Sequence, residues 1–143
     1  TAGALAQDQR FDAFVYRYLL DYPPKPKLER CFGKLVAGKS KTARRWLEKQ
    51  PAKGGGAIYD ALAAALADPE VDTIYLLSDG VPSYGTIKRS WRVRQEIERA
   101  NRWRRVVIHT ILLGKRGTDV EFMKRLALEN GGVAVDQDGR RLG

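Results

Sequence analysis

The chain is poor in the residues that most often carry chemistry. Its 143 residues include one cysteine, Cys31, and one histidine, His109. A single cysteine excludes a disulfide within the chain and gives no zinc-ligand spacing. A single histidine excludes a multi-histidine metal centre. No apolar run approaches the roughly 20 residues of a membrane-spanning helix. Internal repeats are absent. No signal-peptide pattern opens at Thr1, so a secreted form requires a signal upstream.

What is present is a globular composition with a strong basic excess. Hydrophobic residues make up 43% of the chain, enough for a core, and the length suits one domain over residues 1–143. The formal net charge is +9. Lys25 to Lys53 carries ten basic and two acidic residues, and Lys88 to Arg105 carries eight and two. Such stretches are either solvated faces of a basic protein or surfaces that attract polyanions.

The order of patterns predicts an α/β fold. Thr1 to Gln9 reads as the end of a helix, and Phe11 to Tyr18 as an aromatic-rich strand. Tyr22-Pro23-Pro24-Lys25-Pro26 is expected to be irregular, because proline removes donors and fixes φ. Cys31 to Val36 is expected to form a short edge strand. Ser40 or Thr42 would cap a helix to about Lys49 that buries Trp46 and Leu47. After the loop Pro51 to Gly56, the alanine-rich stretch Ile58 to Ala67 predicts a helix stopped by Asp68-Pro69.

Thr73 to Leu77 then predicts a buried strand running into Ser78-Asp79-Gly80. Ile87 to Trp103 predicts a long basic helix, and Val106 to Gly114 a second buried strand. Thr118 would cap a helix over Asp119 to Glu129 with Val120, Met123, Leu126 and Ala127 on its apolar face. Asn130-Gly131-Gly132 would end that helix in the left-handed manner. Val133 to Val135 would be a short strand and residues 136–143 a polar tail. Strands alternating with helices imply a mostly parallel, Rossmann-like sheet covered on both faces.

Asp79 is the main candidate site residue. Ligands of open α/β sheets sit beyond the carboxyl ends of the strands, and this carboxylate follows a strand end at once. The Gly54-Gly55-Gly56 loop at a helix start lacks the lysine and hydroxyl of a phosphate-binding P-loop and the spacing of a dinucleotide fingerprint. His109 sits inside an apolar strand, which suits a packed, hydrogen-bonded side chain better than a catalytic base. Ser78 has no nucleophile-elbow sequence around it. Cys31, although flanked by Arg30 and Lys34, has no partner base and reads as structural. No enzymatic activity is expected.

Four segments together resemble a von Willebrand factor type A domain over about residues 5–135. Gln9 to Tyr16 is similar to the family's second strand. Gly54-Gly55-Gly56-Ala57-Ile58-Tyr59-Asp60-Ala61-Leu62 is similar to its Gly-Gly-Thr-Asn-Ile-Tyr-Asp-Ala-Leu loop and helix. Thr73 to Gly80 with Pro82 is similar to its Leu-Ser-Asp-Gly-x-Pro strand end. Ile108 to Gly114 followed by Phe122 to Gly132 is similar to its last strand and helix. Within the family, the likeness is to bacterial proteins, often secreted or of the cell envelope, that carry such a domain at or near the C-terminus.

The resemblance implies a non-enzymatic module that binds another protein, often through Mg²⁺ at the sheet's carboxyl edge. It implies an extracellular or cell-envelope setting and leaves the partner unidentified. The family builds its metal site from an Asp-x-Ser-x-Ser strand, a threonine in the glycine loop and an aspartate at a later strand end. Asp79 matches that aspartate, Gly56 stands in place of the threonine, and the Asp-x-Ser-x-Ser strand has no counterpart. The metal-ion-dependent adhesion site is therefore expected to be degenerate, with Asp79 a vestigial ligand. No cofactor is expected for this chain, and Mg²⁺ only where an Asp-x-Ser-x-Ser segment lies upstream. The missing central strand is expected to come from a longer protein; a partner chain, or direct pairing of the flanking strands, would be the other solutions. The alternative function is a basic domain that binds nucleic acid or another polyanion nonspecifically.

Overall fold

A computed structural model describes the backbone of residues 10–19 and 25–34, Arg45, Glu48 and Lys49, and residues 55–114 and 119–143. The chain divides into two compact units, Thr1–Gly55 and Gly56–Gly143.

In the first unit, β1 (Arg10–Leu19) and β2 (Lys25–Lys34) form an antiparallel ladder running from Arg10 opposite Lys34 to Leu19 opposite Lys25. β1 is the expected aromatic strand, one residue longer than expected at each end. β2 corrects two expectations. It begins at Lys25, so Lys25 and Pro26 are regular structure, and its described part ends at Lys34. Pro26 is its second residue, opposite Tyr18, and the start of a strand tolerates a missing donor. Cys31 lies in β2 opposite Ala13. Arg45 and Glu48 are helical and exposed. The expected helix over Thr1 to Gln9, the caps at Ser40 and Thr42, and the burial of Trp46 and Leu47 lie outside the described residues. So do Pro51 to Gly54 of the glycine loop. Gly55–Gly56 forms a two-residue strand, β3, at the boundary of the units.

The second unit is an α/β layer. Its elements are α1 (Ile58–Leu66), β4 (Thr73–Ser78), α2 (Ser90–Asn101), β5 (Val107–Leu112), α3 (Val120–Glu129) and β6 (Ala134–Asp136). The strands form a parallel sheet in the order β4-β5-β6, flanked by the helices. Register puts Ile74 beside Ile108, Leu76 beside Thr110 and Ser78 beside Leu112 on one face. Ile108, Thr110 and Leu112 are buried there, under Leu62, Val93, Ile97, Met123 and Leu126 of the three helices. Burying each such side chain contributes about 1.5–3 kcal/mol.

The opposite face differs from the expectation of a sheet covered on both sides. Tyr75 is 64% and Leu77 58% exposed, and their neighbours His109 and Ile111 are half-buried. β4 is an outer strand of this sheet, and its apolar residues alternate between the packed face and the open one. The uninterrupted apolar run therefore does not mark burial on both faces.

The helices also refine the sequence reading. α2 begins at Ser90, three residues later than expected, because Arg89 is extended (φ −86°, ψ 123°). Val93, Ile97 and Asn101, at four-residue spacing, form its buried side. In α3, Asp119 is the N-cap, accepting from the Phe122 N–H at 2.9 Å; Thr118, the expected cap, lies outside the described residues. Val120 is exposed and Phe122 takes its place on the apolar face. The helix ends as expected, with Gly131 at φ +72°. The last strand starts one residue later than expected. Residues 136–143 fold back instead of trailing as a tail: Leu142 N–H bonds Ala134 O at 2.9 Å, and Asp136 accepts from the N–H groups of Asp138 and Arg140.

A buried polar pair closes the amino end of the sheet. Asn101 accepts from the Val106 N–H and donates to Val106 O and to Asn130 Oδ1, all at 2.7–2.8 Å. Asn130 donates in turn to Leu126 O. Arg104 donates to the carbonyls of Leu66, Asp68, Pro69 and Val71, which fixes the connection between α1 and β4. Among the described residues no helix is long and apolar enough to cross a membrane.

Candidate functional site

The carboxyl edge of the sheet is assembled from three loops. Asp79 follows the last residue of β4 and is exposed. Its Oδ1 accepts from the Val81 N–H at 3.1 Å, and Ser78 Oγ accepts from the Gly80 N–H at 3.0 Å. These two side chains shape the turn, so Ser78 has a local structural task. Gly80 has φ +84°, and a Cβ there would stand 2.7 Å from Asp119 O. Glycine after Asp79 thus allows the turn to lie against the start of α3, where Asp119 N–H bonds Asp79 O at 3.2 Å.

Asp119 is a member of this edge that the sequence reading missed. Besides capping α3, it accepts from Ser90 Oγ through Oδ2 at 3.2 Å, tying the first residue of α2 to the start of α3. Its signal was an aspartate directly before an apolar-periodic segment, a standard cap pattern that the neighbouring Thr118 shared.

Asp60 is the second missed residue. It sits in the first turn of α1, where a carboxylate suits the helix dipole. Its Oδ2 accepts from the Thr86 N–H at 2.9 Å, and Oδ1 from Thr86 Oγ1 at 2.5 Å. Gly85, at φ +102°, packs so closely that a Cβ would meet Asp60 Oδ2 at 2.1 Å. The loop between β4 and α2 is thereby strapped to α1. No sequence spacing announces a contact between residues 60 and 86.

Gly56 adjoins the same loop. Its carbonyl accepts from the Tyr84 N–H at 3.0 Å. A Cβ on Gly56 would meet nothing closer than Val81 O and Ser83 Oγ at 3.8 Å. The position has room for a side chain, and its residue supplies no side-chain oxygen. The structure thus brings Gly56 and the loop after Asp79 together. Among the described residues no three histidine, cysteine, aspartate or glutamate side chains converge.

The other candidates are accounted for by packing. His109 Nδ1 accepts from the Val133 N–H at 3.1 Å, and its ring stacks on Tyr75 with centroids 5.1 Å apart. Among the described residues, perturbed charges lie on α2 and α3. The Glu129 carboxylate, hydrogen-bonded across to Arg94, pushes the guanidinium above its ordinary value. The Arg125 hydrogen bond lowers the Glu121 carboxyl below the usual glutamate range. Two shallow cavities, of about 320 and 400 Å³, open at the amino end of β5 and along α3; neither is lined by Asp79, Gly56 or the loop that follows β4.

No protein-family model matches the chain, and searches of curated proteins and of solved structures find no match.

Proposed function

We propose that this chain is a protein-interaction module of the von Willebrand factor type A kind, with its docking surface at the carboxyl edge around Asp79 and a degenerate metal-ion-dependent adhesion site. The hydrogen bond from Tyr84 to Gly56 carries the reading. The family resemblance assigns the glycine loop and the Asp79 turn to one site, and that bond joins them. The parallel order of β4, β5 and β6 supports the same reading, because open α/β sheets bind ligands outside the carboxyl ends of their strands.

The described residues do not by themselves fit Mg²⁺. That ion requires near-octahedral oxygen ligands. At this edge the Asp79 carboxylate is engaged through Oδ1, the Asp119 carboxylate is taken up by the Phe122 N–H and Ser90 Oγ, and Gly56 offers no hydroxyl. A first-strand segment upstream would have to supply most of the site. The module is read as non-enzymatic, since His109 is stacked and hydrogen-bonded and Ser78 Oγ holds a turn.

Site-specific photo-cross-linking in an extract of the source cells tests the docking surface. A photoreactive side chain at Val81 is expected to give protein adducts that one at Leu128, exposed on α3, does not. Equal yields from the two positions, or none from Val81, would overturn the reading.

A further inference from the structure

We propose that the outer face of α2 and the turn after it bind single-stranded nucleic acid, independently of the Asp79 edge. The eight cations of Lys88 to Arg105 divide by role. Arg94 is committed to Glu129, and Arg104 to four backbone carbonyls. Lys88, Arg89, Arg92, Arg99, Arg102 and Arg105 are exposed, and their side chains make no hydrogen bond or ion pair among the described residues. A solvated face that stabilised the fold would show i,i+4 pairs of the kind α3 makes between Glu121 and Arg125. Here Glu98 and Arg102 have that spacing and make no ion pair.

Two indoles share this surface. Trp103 is 88% and Trp91 57% exposed. At 3.6 residues per turn, Trp91, Arg92, Gln95 and Arg99 share one sector of α2. Arg102 caps the helix in the αR conformation, so helical spacing carried one residue past it brings Arg102 into this sector and Trp103 to its far margin, about 120° from Trp91. On the same spacing Glu96 and Glu98 fall about 20° outside the two margins. The sector carries positive charge without internal neutralisation, framed by flat aromatic surfaces. Phosphates match the guanidinium groups, and unstacked bases match the indoles. An acidic peptide would use the charge and leave the indoles idle, so single-stranded nucleic acid is the occupant the surface fits.

Fluorescence anisotropy of the whole chain with a labelled 20-nucleotide oligothymidylate tests this. With four phosphate contacts, affinity should fall about 50-fold between 50 and 200 mM salt, a slope near −0.7 per contact. Trp103→Ala should weaken binding at least about fivefold through lost base stacking. Arg99→Ala with Arg102→Ala should reduce the salt slope by about 1.4, and the double lysine replacement should restore it. All three side chains are exposed, so unchanged melting of each variant serves as the folding control. No binding at 50 mM salt would overturn the proposal. So would binding indifferent to Trp103→Ala and to the double alanine variant, which would assign it to the other basic stretch. Equal competition by polyglutamate or inorganic polyphosphate at matched charge would overturn it too, because neither has bases to stack.

Discussion

Asp60 and Thr86, 26 residues apart, are joined twice, by the Thr86 hydroxyl at 2.5 Å and by its backbone N–H at 2.9 Å. This carboxylate holds the loop that carries the residues after Asp79 against the start of α1. Asp60→Ala should cost about 1–2 kcal/mol, the lower range for charge-assisted hydrogen bonds at a solvated site. That corresponds to a loss of about 3–7 °C in Tm for a chain of this length. Hydrogen exchange at Thr86 and Tyr84 should accelerate in the variant while exchange at Ile108 stays slow; uniform protection would refute the strap.

Gly85 belongs to the same contact. Gly85→Ala should cost about 2–3 kcal/mol, from positive φ and from the approach of Cβ to Asp60. The obstacle is the Asp60 carboxylate itself. The double variant with Asp60→Ala should therefore be less destabilised than the sum of the single variants, a coupling that denaturant melts of the four proteins would measure. Strict additivity would separate the two residues.

The Asn101–Asn130 pair is the buried polar junction of the second unit. Asn101→Leu leaves the Val106 N–H, the Val106 carbonyl and Asn130 Oδ1 without this partner. The expected loss is at least about 3 kcal/mol, three buried groups at the lower end of the usual cost of about 1–3 kcal/mol each. In denaturant melts, a change under about 1 kcal/mol would mean that water replaces the side chain.

Glu121 gives a prediction in pH. Its folded value is lowered, chiefly by the Arg125 hydrogen bond. A depressed carboxyl stabilises the fold above its unfolded value, and the contribution is lost as pH falls through the folded value. Carboxyl NMR titration should place the Glu121 midpoint below that of an ordinary glutamate, and Arg125→Ala should raise it. An unchanged midpoint in that variant would assign the shift elsewhere.

Gly56→Thr tests the open space beside the Asp79 loop. Nothing lies closer than 3.8 Å to the new Cβ, so stability should change by no more than surface substitutions allow, about ±0.5 kcal/mol. Neither the unchanged chain nor this variant should gain several degrees in Tm from millimolar Mg²⁺ or Mn²⁺. A rise of that size that Asp79→Ala abolishes would show that the ligand set is sufficient after all.

The sequence was most legible where a periodic pattern coincided with a backbone requirement. Ser78-Asp79-Gly80 marked the end of β4 because a strand must turn there, and Gly80 has the positive φ that the turn needs. Asn130-Gly131 marked the end of α3 for the same reason. Burial was less legible. Tyr75 and Leu77 look like core residues in a run of apolar side chains, yet they occupy the open face of an outer strand, which a linear pattern does not reveal. Lys25 and Pro26 look irregular from proline's local restrictions alone, yet the first residues of a strand tolerate them. Asp60 stayed hidden because its partner Thr86 is distant in sequence, and Asp119 because two adjacent residues were equally able to cap. The Asp79 edge was thus found through its own strand end, and its supports only through tertiary contacts.

Cross-linking from Val81, repeated with EDTA and with millimolar Mg²⁺, tests the docking edge most directly. The same protein adducts should form in both conditions and be absent when the photoreactive group sits at Leu128. Adducts that require Mg²⁺ would contradict the degenerate site, and adducts independent of position would contradict the docking edge itself.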